Sequence, residues 1–275
     1  MRKFIKYGDN VIRFGNAALI IPDSPGPVPP ILPAKTIRCK FQSGYTPTMG
    51  DDQTLVDADE NIWDIYRESD DWHGLFYMYG GTGAGSILEV LGANTAGVTD
   101  MSSMFEGAHQ ITSVPLFDTG SVTDMNYMFS GCTSLTSVPL FDTGNVTDIH
   151  DMFAGCSSLV SVPLFNTGNA TRFNGMFLSC TSLQSVPLFD TSSALNLQGM
   201  FHGCNALRTI PQFSVAATPA VADMFYGCTR VESGILAFYQ RAVDNVTFHM
   251  LCFRNCGVDT VTGTAELAQI PDDWK

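Results

Sequence analysis

Residues 122–145 read Val-Thr-Asp-Met-Asn-Tyr-Met-Phe-Ser-Gly-Cys-Thr-Ser-Leu-Thr-Ser-Val-Pro-Leu-Phe-Asp-Thr-Gly-Asn, and the chain returns to this pattern every 24 residues. Stacked coils of a repeat protein need such a fixed period, whereas an ordinary globular domain has no reason to keep it. The sequence therefore predicts a repeat solenoid over residues 86–232. The Met-Phe pairs stand at residues 104/105, 128/129, 152/153, 176/177, 200/201 and 224/225, and the prolines at 115, 139, 163, 187 and 211.

One side of each coil has the spacing of a leucine-rich repeat. Leu135, Val138 and Leu140 follow the pattern L-x-x-L-x-L, in which these side chains point inward from a short strand. Strands of successive coils would pair as a parallel sheet at a spacing of about 4.8 Å. Because Pro139 cannot donate to a sheet ladder, we expect very short strands.

The other side of each coil predicts a short helical turn. Residues 148–153 are rich in helix-compatible residues, and Met152 and Phe153 would fill the core from that side. The fold class that follows is a leucine-rich-repeat-like solenoid with short parallel β-strands, short helical turns and α+β caps, preceded by an extended N-terminal anchor.

The chain divides into five segments. Residues 1–20 predict a β-hairpin around a Gly-Asp-Asn turn, and an isolated hairpin needs a partner, so we expect an anchoring segment. Residues 21–34 form a stiff proline-rich linker. Residues 35–85, with a predicted strand at Thr36–Phe41 and an aromatic-rich stretch at 62–79, form the N-terminal cap, and residues 233–275 form the C-terminal cap, which a helix at 232–242 opens. The apolar and aromatic residues expected to anchor the hairpin are Phe4, Ile5, Tyr7, Val11, Ile12 and Phe14.

The composition indicates a folded acidic protein. Of the 275 residues 45% are hydrophobic and 15% are charged, and 14 basic against 27 acidic residues give a net charge of −13. Nucleic acid is a poor partner for this surface because phosphate contacts require basic residues. We expect no membrane insertion, since no apolar run approaches about 18 residues, and no export signal, since the N-terminal apolar runs are short.

Several motifs resemble those of enzyme active sites. Phe-Asp-Thr-Gly at 117–120 and 141–144 copies the loop of aspartic proteases, but those enzymes need two such loops facing each other across a cleft. Here the loops are one coil apart on the same edge, which favours a turn closed by the aspartate side chain. The five histidines are scattered, and no nucleophile-base pair can be proposed. We expect no catalytic residue, no cofactor and no enzyme activity.

Two residue ladders resemble metal sites. Asp100, Asp124 and Asp148 could suggest calcium, but the ladder breaks at Arg172, and an aspartate in the first turn of a helix explains the pattern. The cysteine ladder favours a column of buried free thiols, because metal sites need closely spaced ligands and an assembly route through the cytoplasm keeps adjacent thiols reduced. We expect no metal site. The cysteines stand at 132, 156, 180, 204, 228 and 252.

The repeat resembles the BspA-like leucine-rich repeats, in the subfamily with units V-T-D-M-x-x-M-F-x-x-C-x-x-L-x-x-V-P-x-F-D-T. Residues 122–143 match that unit almost residue by residue. Members of this family are often surface adhesins of gut and oral bacteria. In addition, residues 6–15, the proline-rich linker and residues 265–274 resemble virion proteins of phages that infect gut Bacteroidales.

These resemblances imply a non-enzymatic virion structural protein, a head or tail fibre or appendage. Its N-terminus would dock on a capsid or tail protein, its solenoid would contact a host surface glycan or protein, and the particle would assemble in the host cytoplasm. A bacterial cell-surface adhesin of the BspA-like family is the alternative. Fibre-like appendages are symmetric oligomers, so we expect a homo-oligomer, specifically a trimer.

A binding face should lie where the coils differ from one another. The outward column of the predicted strand changes from coil to coil, and stacked coils would present it as one continuous surface. Solvated positions that are free to drift would show the same variation. The ligand-binding residues predicted on this column are Thr112, Thr136, Val160, Gln184 and Arg208.

Overall fold

The computed structural model of the chain contains the N-terminal hairpin that the sequence predicts. Strand β1 (Phe4–Tyr7) pairs antiparallel with β2 (Asn10–Arg13). Phe14 and most of the proline-rich linker, residues 14–31, lie outside the described residues. The structure describes residues 4–7, 10–13, 32–47, 52–75, 82–215, 217 and 219–275.

A four-stranded antiparallel sheet precedes the repeats, in the strand order β4-β5-β3-β6. The predicted strand at Thr36–Phe41 is confirmed as β3, and the other strands are β4 (Asp52–Asp57), β5 (Ile62–Tyr66) and β6 (Ile87–Asn94). A one-turn helix, α1 (Thr82–Gly85), leads into β6. Strand β6 lies beyond residue 85, so the sheet of the predicted N-terminal cap continues into the segment 86–232 that the sequence assigned to the repeats.

The repeats stack through main-chain hydrogen bonds, but the segment richest in these bonds is not the strand predicted at residues 135–140. Parallel bridges join single residues one coil apart, as at Asp100 and Asp124, and no longer strand forms between residues 95 and 215. The segment with the most hydrogen bonds to the next coil is residues 148–155, where the amide of Phe153 donates to the carbonyl oxygen of Met176 at 2.9 Å. Near Pro139 the main-chain bonds between coils are confined to Thr136, whose amide donates to Thr112 of the coil before and whose carbonyl accepts from Val160 of the coil after; Pro139 itself has no N–H to donate.

The predicted helical turn at residues 148–153 is wrong. The segment is a turn in which Asp151 has a φ of 52°, outside the helical region. Alternate amides of the segment point to the next coil, so they cannot donate to carbonyls of their own coil as a helix requires. Stacking therefore replaces helix formation on this side.

The core consists of columns of identical side chains. Phe105 stacks on Phe129 with ring centroids 5.6 Å apart and planes 3° apart, and the column continues through every later coil. A second phenylalanine column, which includes Phe117 and Phe141, packs against the first. Leu135 and Val138 are buried as predicted, but the inward placement of Leu140 is wrong, since 60% of that residue is exposed.

The last coil is longer than the others, which corrects the predicted cysteine ladder. Helix α2 (Ile235–Ala242) confirms the predicted helix, and the ring after Phe225 in the column is Phe253, 28 residues on. Because of this insertion, Cys252 takes the methionine position, where its carbonyl accepts from the amide of Phe225, and Cys256 takes the cysteine position. Sequence spacing alone paired the wrong cysteine with the ladder.

The C-terminal segment closes the final coil. Helix α3 (Val261–Leu267) is followed by a 3₁₀ turn at Asp272–Trp274. Trp274 is buried, lies 6.0 Å from the ring of Phe253, and its carbonyl accepts from the amide of Phe253. Within the described part of the chain, every helix is too short to cross a bilayer.

Candidate interaction surface

The predicted outward column is assembled as expected from the sequence. All five of its residues are exposed, and from the second coil on the amide of each donates to the carbonyl oxygen of the one before, at 3.0 Å from Thr136 to Thr112 and at 3.1 Å from Arg208 to Gln184. The column extends one coil further, because Arg208 forms an ion pair of 2.6 Å with Glu232. The structure thus brings Thr112, Thr136, Val160, Gln184 and Arg208 into a single file on one face.

A second exposed column lies four residues further along each coil, and the sequence analysis missed it. Four leucines, 59–62% exposed, occupy the same position in four successive coils. A simple signal could have found them: in an extended chain, neighbouring side chains point to opposite sides, so Leu140 and Phe141 cannot both face the core. We call these four residues the leucine stripe: Leu116, Leu140, Leu164 and Leu188.

The Asp-Thr-Gly segments form turns, as predicted. Oδ1 of Asp142 accepts from the amide of Gly144 at 3.0 Å, which is the geometry of an aspartate-closed turn. The hydroxyl of the buried Thr143 donates at 2.8 Å to the carbonyl oxygen of Asn166 in the next coil. These contacts hold the coils together and leave the carboxylates in a row on the surface. We call this row, next to the leucine stripe, the acidic row: Asp118, Asp142, Asn166 and Asp190.

The aspartate ladder, Asp100, Asp124 and Asp148, is joined by parallel bridges, and its predicted role as a helix first turn is wrong. Oδ1 of Asp124 accepts from the amide of Asn126 at 2.9 Å, two residues on, in a non-helical turn. Burial raises the pKa of Asp124, and the neighbouring carboxylates of Asp148 and Asp100 raise it further. Among the described residues, no three histidine, cysteine, aspartate or glutamate side chains come together as a metal site requires.

Asp148 has a different environment from the rest of that ladder. Its carboxylate contacts Nδ1 of His150 at 2.6 Å and the guanidinium of Arg172 at 2.7 Å. Burial raises the pKa of Asp148, but the hydrogen bonds from His150 and Arg172 outweigh it and lower that pKa below its ordinary value. Arg172, the residue that breaks the ladder in the sequence, therefore compensates the charge of the coil before it.

The cysteines are buried free thiols, as the sequence predicts. The thiol of Cys180 donates at 3.0 Å to the carbonyl oxygen of Phe153 in the preceding coil, and the other members from 132 to 228 do the same. Burial raises the pKa of both Cys180 and Cys228 to about 12. A thiol with such a pKa is protonated at neutral pH, so it is a poor nucleophile.

Comparisons with known proteins found a family model and a solved structure to which parts of the chain are similar. A family model described as "Mycoplasma protein of unknown function, DUF285" matches residues 75–185 and 159–256. The chain is also similar to a solved leucine-rich repeat protein of T. pallidum, TpLRR, at 22% identity, with 58% of this chain and 84% of that chain covered and a TM-score of 0.36. No curated protein matches the chain.

Proposed function

The chain belongs to the DUF285 family and is a BspA-like leucine-rich-repeat protein, and from this premise we propose that it is a non-enzymatic adhesion protein. Its repeats would form a solenoid whose outer columns contact a partner. Repeat proteins bind through such continuous surfaces, because each coil adds one equivalent set of side chains.

One observation carries this proposal: within the described residues, equivalent side chains of successive coils lie over one another, on the surface as well as in the core. The interior is filled by the two phenylalanine columns, and the enclosed void found beside Met152 and Ala170 has room for only about 10 Å³. A substrate needs a pocket of at least about 300 Å³, so this void inside the coils cannot hold one. The exposed columns therefore offer the better candidates for function.

We further propose that the protein is a virion appendage of a phage. The N-terminal hairpin would dock on a capsid or tail protein, the proline-rich linker would act as a spacer, and the repeats would face a host surface glycan or protein. The distinct charge of the N-terminus supports an anchoring role: residues 1–14 contain Arg2, Lys3, Lys6 and Arg13 against one acidic residue, Asp9, in an otherwise acidic chain. A homo-oligomer, specifically a trimer, fits the symmetry of such appendages.

A bacterial surface adhesin is the second candidate. The family match favours it, because the match covers residues 75–256 and is described for a bacterial genus. In that case the same outer columns would contact another cell or a host surface. The two candidates differ in where the chain is found and what precedes the repeats in the mature protein.

Mass spectrometry of purified phage particles and of bacterial envelope fractions separates these candidates. The virion proposal predicts a stoichiometric chain in the particles, with peptides from residues 1–14 uncleaved. Recovery from the envelope alone, with a processed N-terminus, would favour the bacterial adhesin. Recovery from neither fraction, or turnover of a substrate by the purified chain, would contradict the proposed function.

A further inference from the structure

The leucine stripe is exposed without contributing to the core. Leu116, Leu140, Leu164 and Leu188 are each 59–62% exposed, whereas the phenylalanine next to each is buried. The rings of the phenylalanines that follow these leucines lie 5.6–6.3 Å apart from one coil to the next, so the four leucines form a row of about 18 Å over three such steps. Contiguous apolar patches on a protein surface mark interaction sites more often than isolated apolar residues do.

A comparison of two exposed columns in the same four coils shows whether the leucines vary as freely as other surface residues. Four residues before the stripe, the outward column, whose residues are also exposed, reads Thr, Thr, Val and Gln in the same four coils. The stripe reads leucine in all four. A recent duplication would have left both columns uniform, and free drift would have varied both. The leucines are therefore retained for a reason other than packing.

The flanks of the stripe have one sign of charge. In these four coils, the seven-residue segments from the outward column to the acidic row contain three aspartates and no lysine or arginine. Hydrogen bonds from the side chain and amide of Ser192 lower the pKa of Asp190, so that carboxylate is ionised at neutral pH. A complementary partner places basic residues beside its apolar side chains.

The stripe ends in a concavity on the side of the N-terminal sheet. An open hollow of about 400 Å³ is lined by Leu32, Asn94, Leu116 and Asp118, among others. Its volume suits one or two large side chains. Like the stripe, the hollow is lined by leucine side chains, Leu32 and Leu116, together with the carboxylate of Asp118.

We propose that the leucine stripe is the docking surface for a basic amphipathic helix of a partner protein. Apolar residues on one face of a helix recur every turn, about 5.4 Å, which is close to the spacing of the coils. Lysine or arginine beside that face would meet the acidic row. The inference deepens and rests on the proposed adhesion role, and it identifies the partner as a protein segment.

Two other occupants fit the surface less well. A sugar is recognised through hydrogen-bonding groups and aromatic faces, and leucine side chains offer neither. A second copy that docks through its own stripe would bring the same leucines, and the segments from its outward column to its acidic row contain no lysine or arginine to meet the acidic row. Charge complementarity therefore favours the basic helix.

The test uses the full chain and a synthetic peptide of about 14 residues of leucine and lysine, with the leucines on one helical face. Fluorescence anisotropy measures its dissociation constant at low and moderate salt. We expect binding that weakens as salt increases, and no binding of the same peptide with glutamate in place of lysine. In the double variant Leu140→Ser/Leu164→Ser the dissociation constant should rise about tenfold per leucine.

Two further sets of substitutions distinguish binding at the leucine stripe from nonspecific binding. Leu195 is 61% exposed but lies in another column, so Leu195→Ser should leave the dissociation constant unchanged. The triple change Asp118→Asn/Asp142→Asn/Asp190→Asn, which introduces the amide that Asn166 already has in the same row, should weaken binding and reduce its salt dependence. Thermal melts verify that each variant is folded, since exposed residues contribute little to stability.

Three outcomes would overturn the inference. They are no binding by the full chain, equal binding by the double variant, or a dimer in sedimentation velocity that the double variant dissolves without any peptide binding. The last outcome would assign the stripe to a second copy. Absence of the chain from particles and envelopes would contradict the proposed function alone, because the peptide assay uses purified protein.

Discussion

At the scale of single residues, buried polar side chains join each coil to the next. The hydroxyls of Thr95, Thr119 and Thr143 are buried, and each donates at 2.8 Å to a main-chain carbonyl one coil on. The cysteine thiols make the corresponding contact to the coil before. Each such bond adds only about 1 kcal/mol to the stability of the fold, but a buried carbonyl that loses its partner destabilises the fold by about 1–3 kcal/mol.

Replacing one of these threonines should therefore destabilise the chain. Thr143→Val keeps the shape but removes the donor to Asn166, and we expect a loss of about 1–2 kcal/mol in the free energy of unfolding. The control is Thr136→Val on the exposed outward column, where Val160 follows in the next coil, with an expected change within about 0.5 kcal/mol. Urea denaturation measures both, and equal losses would contradict the role of the buried hydroxyl.

The void beside Ala170 predicts that a larger side chain there stabilises the protein. Val122 and Val146 occupy the equivalent position in two other coils, and the void of about 10 Å³ lies beside Ala170. Ala170→Val should stabilise the protein by about 0.5–1 kcal/mol. Ala194→Val, in the next coil of the same column, is the control, because Ala194 does not line this void, and there the added methyls should give no gain. A loss of stability in Ala170→Val as large as in the control would show that the void cannot take a side chain.

The aspartate ladder predicts opposite effects of pH at two equivalent positions. The pKa of Asp148 is lowered in the folded state, so its carboxylate stabilises the fold at neutral pH, and that contribution is lost as pH falls through the lowered pKa. The pKa of Asp124 is raised, so its ionised form costs stability at neutral pH, and the cost disappears below the unfolded-state pKa.

Asparagine substitutions should reveal both signs, since Asn196 already occupies this ladder position in a later coil. At pH 7, Asp148→Asn should lower the free energy of unfolding and Asp124→Asn should raise it. Both differences should vanish in strong acid, where the carboxylates are protonated. Denaturant melts at a series of pH values measure this, and a difference of the same sign at both positions would refute the assigned environments.

At the scale of elements, the turn after each aspartate replaces the helix that the sequence predicts. One residue of this turn has a positive φ, and the position is serine, tyrosine, aspartate, glycine or, in the last coil, leucine. A helix former at residues 148–153 has no advantage, because the amides there donate to the next coil. Local propensity predicted the wrong element because the hydrogen-bond partners lie 23 residues away in the sequence, outside any local window.

Two glycines of this turn form a matched pair. Gly175 and Gly199 have φ values of 62° and 60°, but a Cβ at Gly175 would overlap Oδ1 of Asp151, whereas at Gly199 the nearest atom is 3.9 Å away. Gly199→Ala should cost about 1–2 kcal/mol from the left-handed backbone alone. Gly175→Ala should lower the free energy of unfolding by more than that. In the double variant Gly175→Ala/Asp151→Ser, which places at 151 the residue that Ser103 provides in an earlier coil, the loss should fall to that of Gly199→Ala.

Thermal or urea unfolding of the three variants measures these costs. Equal losses in Gly175→Ala and Gly199→Ala would mean that the contact with Asp151 does not limit the turn. Failure of Asp151→Ser to recover any stability would lead to the same conclusion.

At the scale of the whole molecule, the period predicted the stacking and the outward column but not the leucine stripe. The Met-Phe pairs, the hairpin, strand β3 and helix α2 follow from spacing and pattern, because those signals are local or strictly periodic. The exposure of Leu140 and the shift of the ladder from Cys252 to Cys256 do not, because the first depends on the direction of neighbouring side chains and the second on an insertion of four residues. The predicted outward column is exposed and aligned, and its role in binding stays a prediction.

The stacking itself can be measured with pairs of spin labels on introduced cysteines. The native thiols are buried, with pKa values raised by that burial, so labels will react at exposed sites. Pairing Thr112 with Gln184, Arg208 and Glu232 separates the labels by three, four and five coils. Stacked coils predict mean distances that grow by about 4.8 Å per coil, whereas distances without a constant increment would contradict the account.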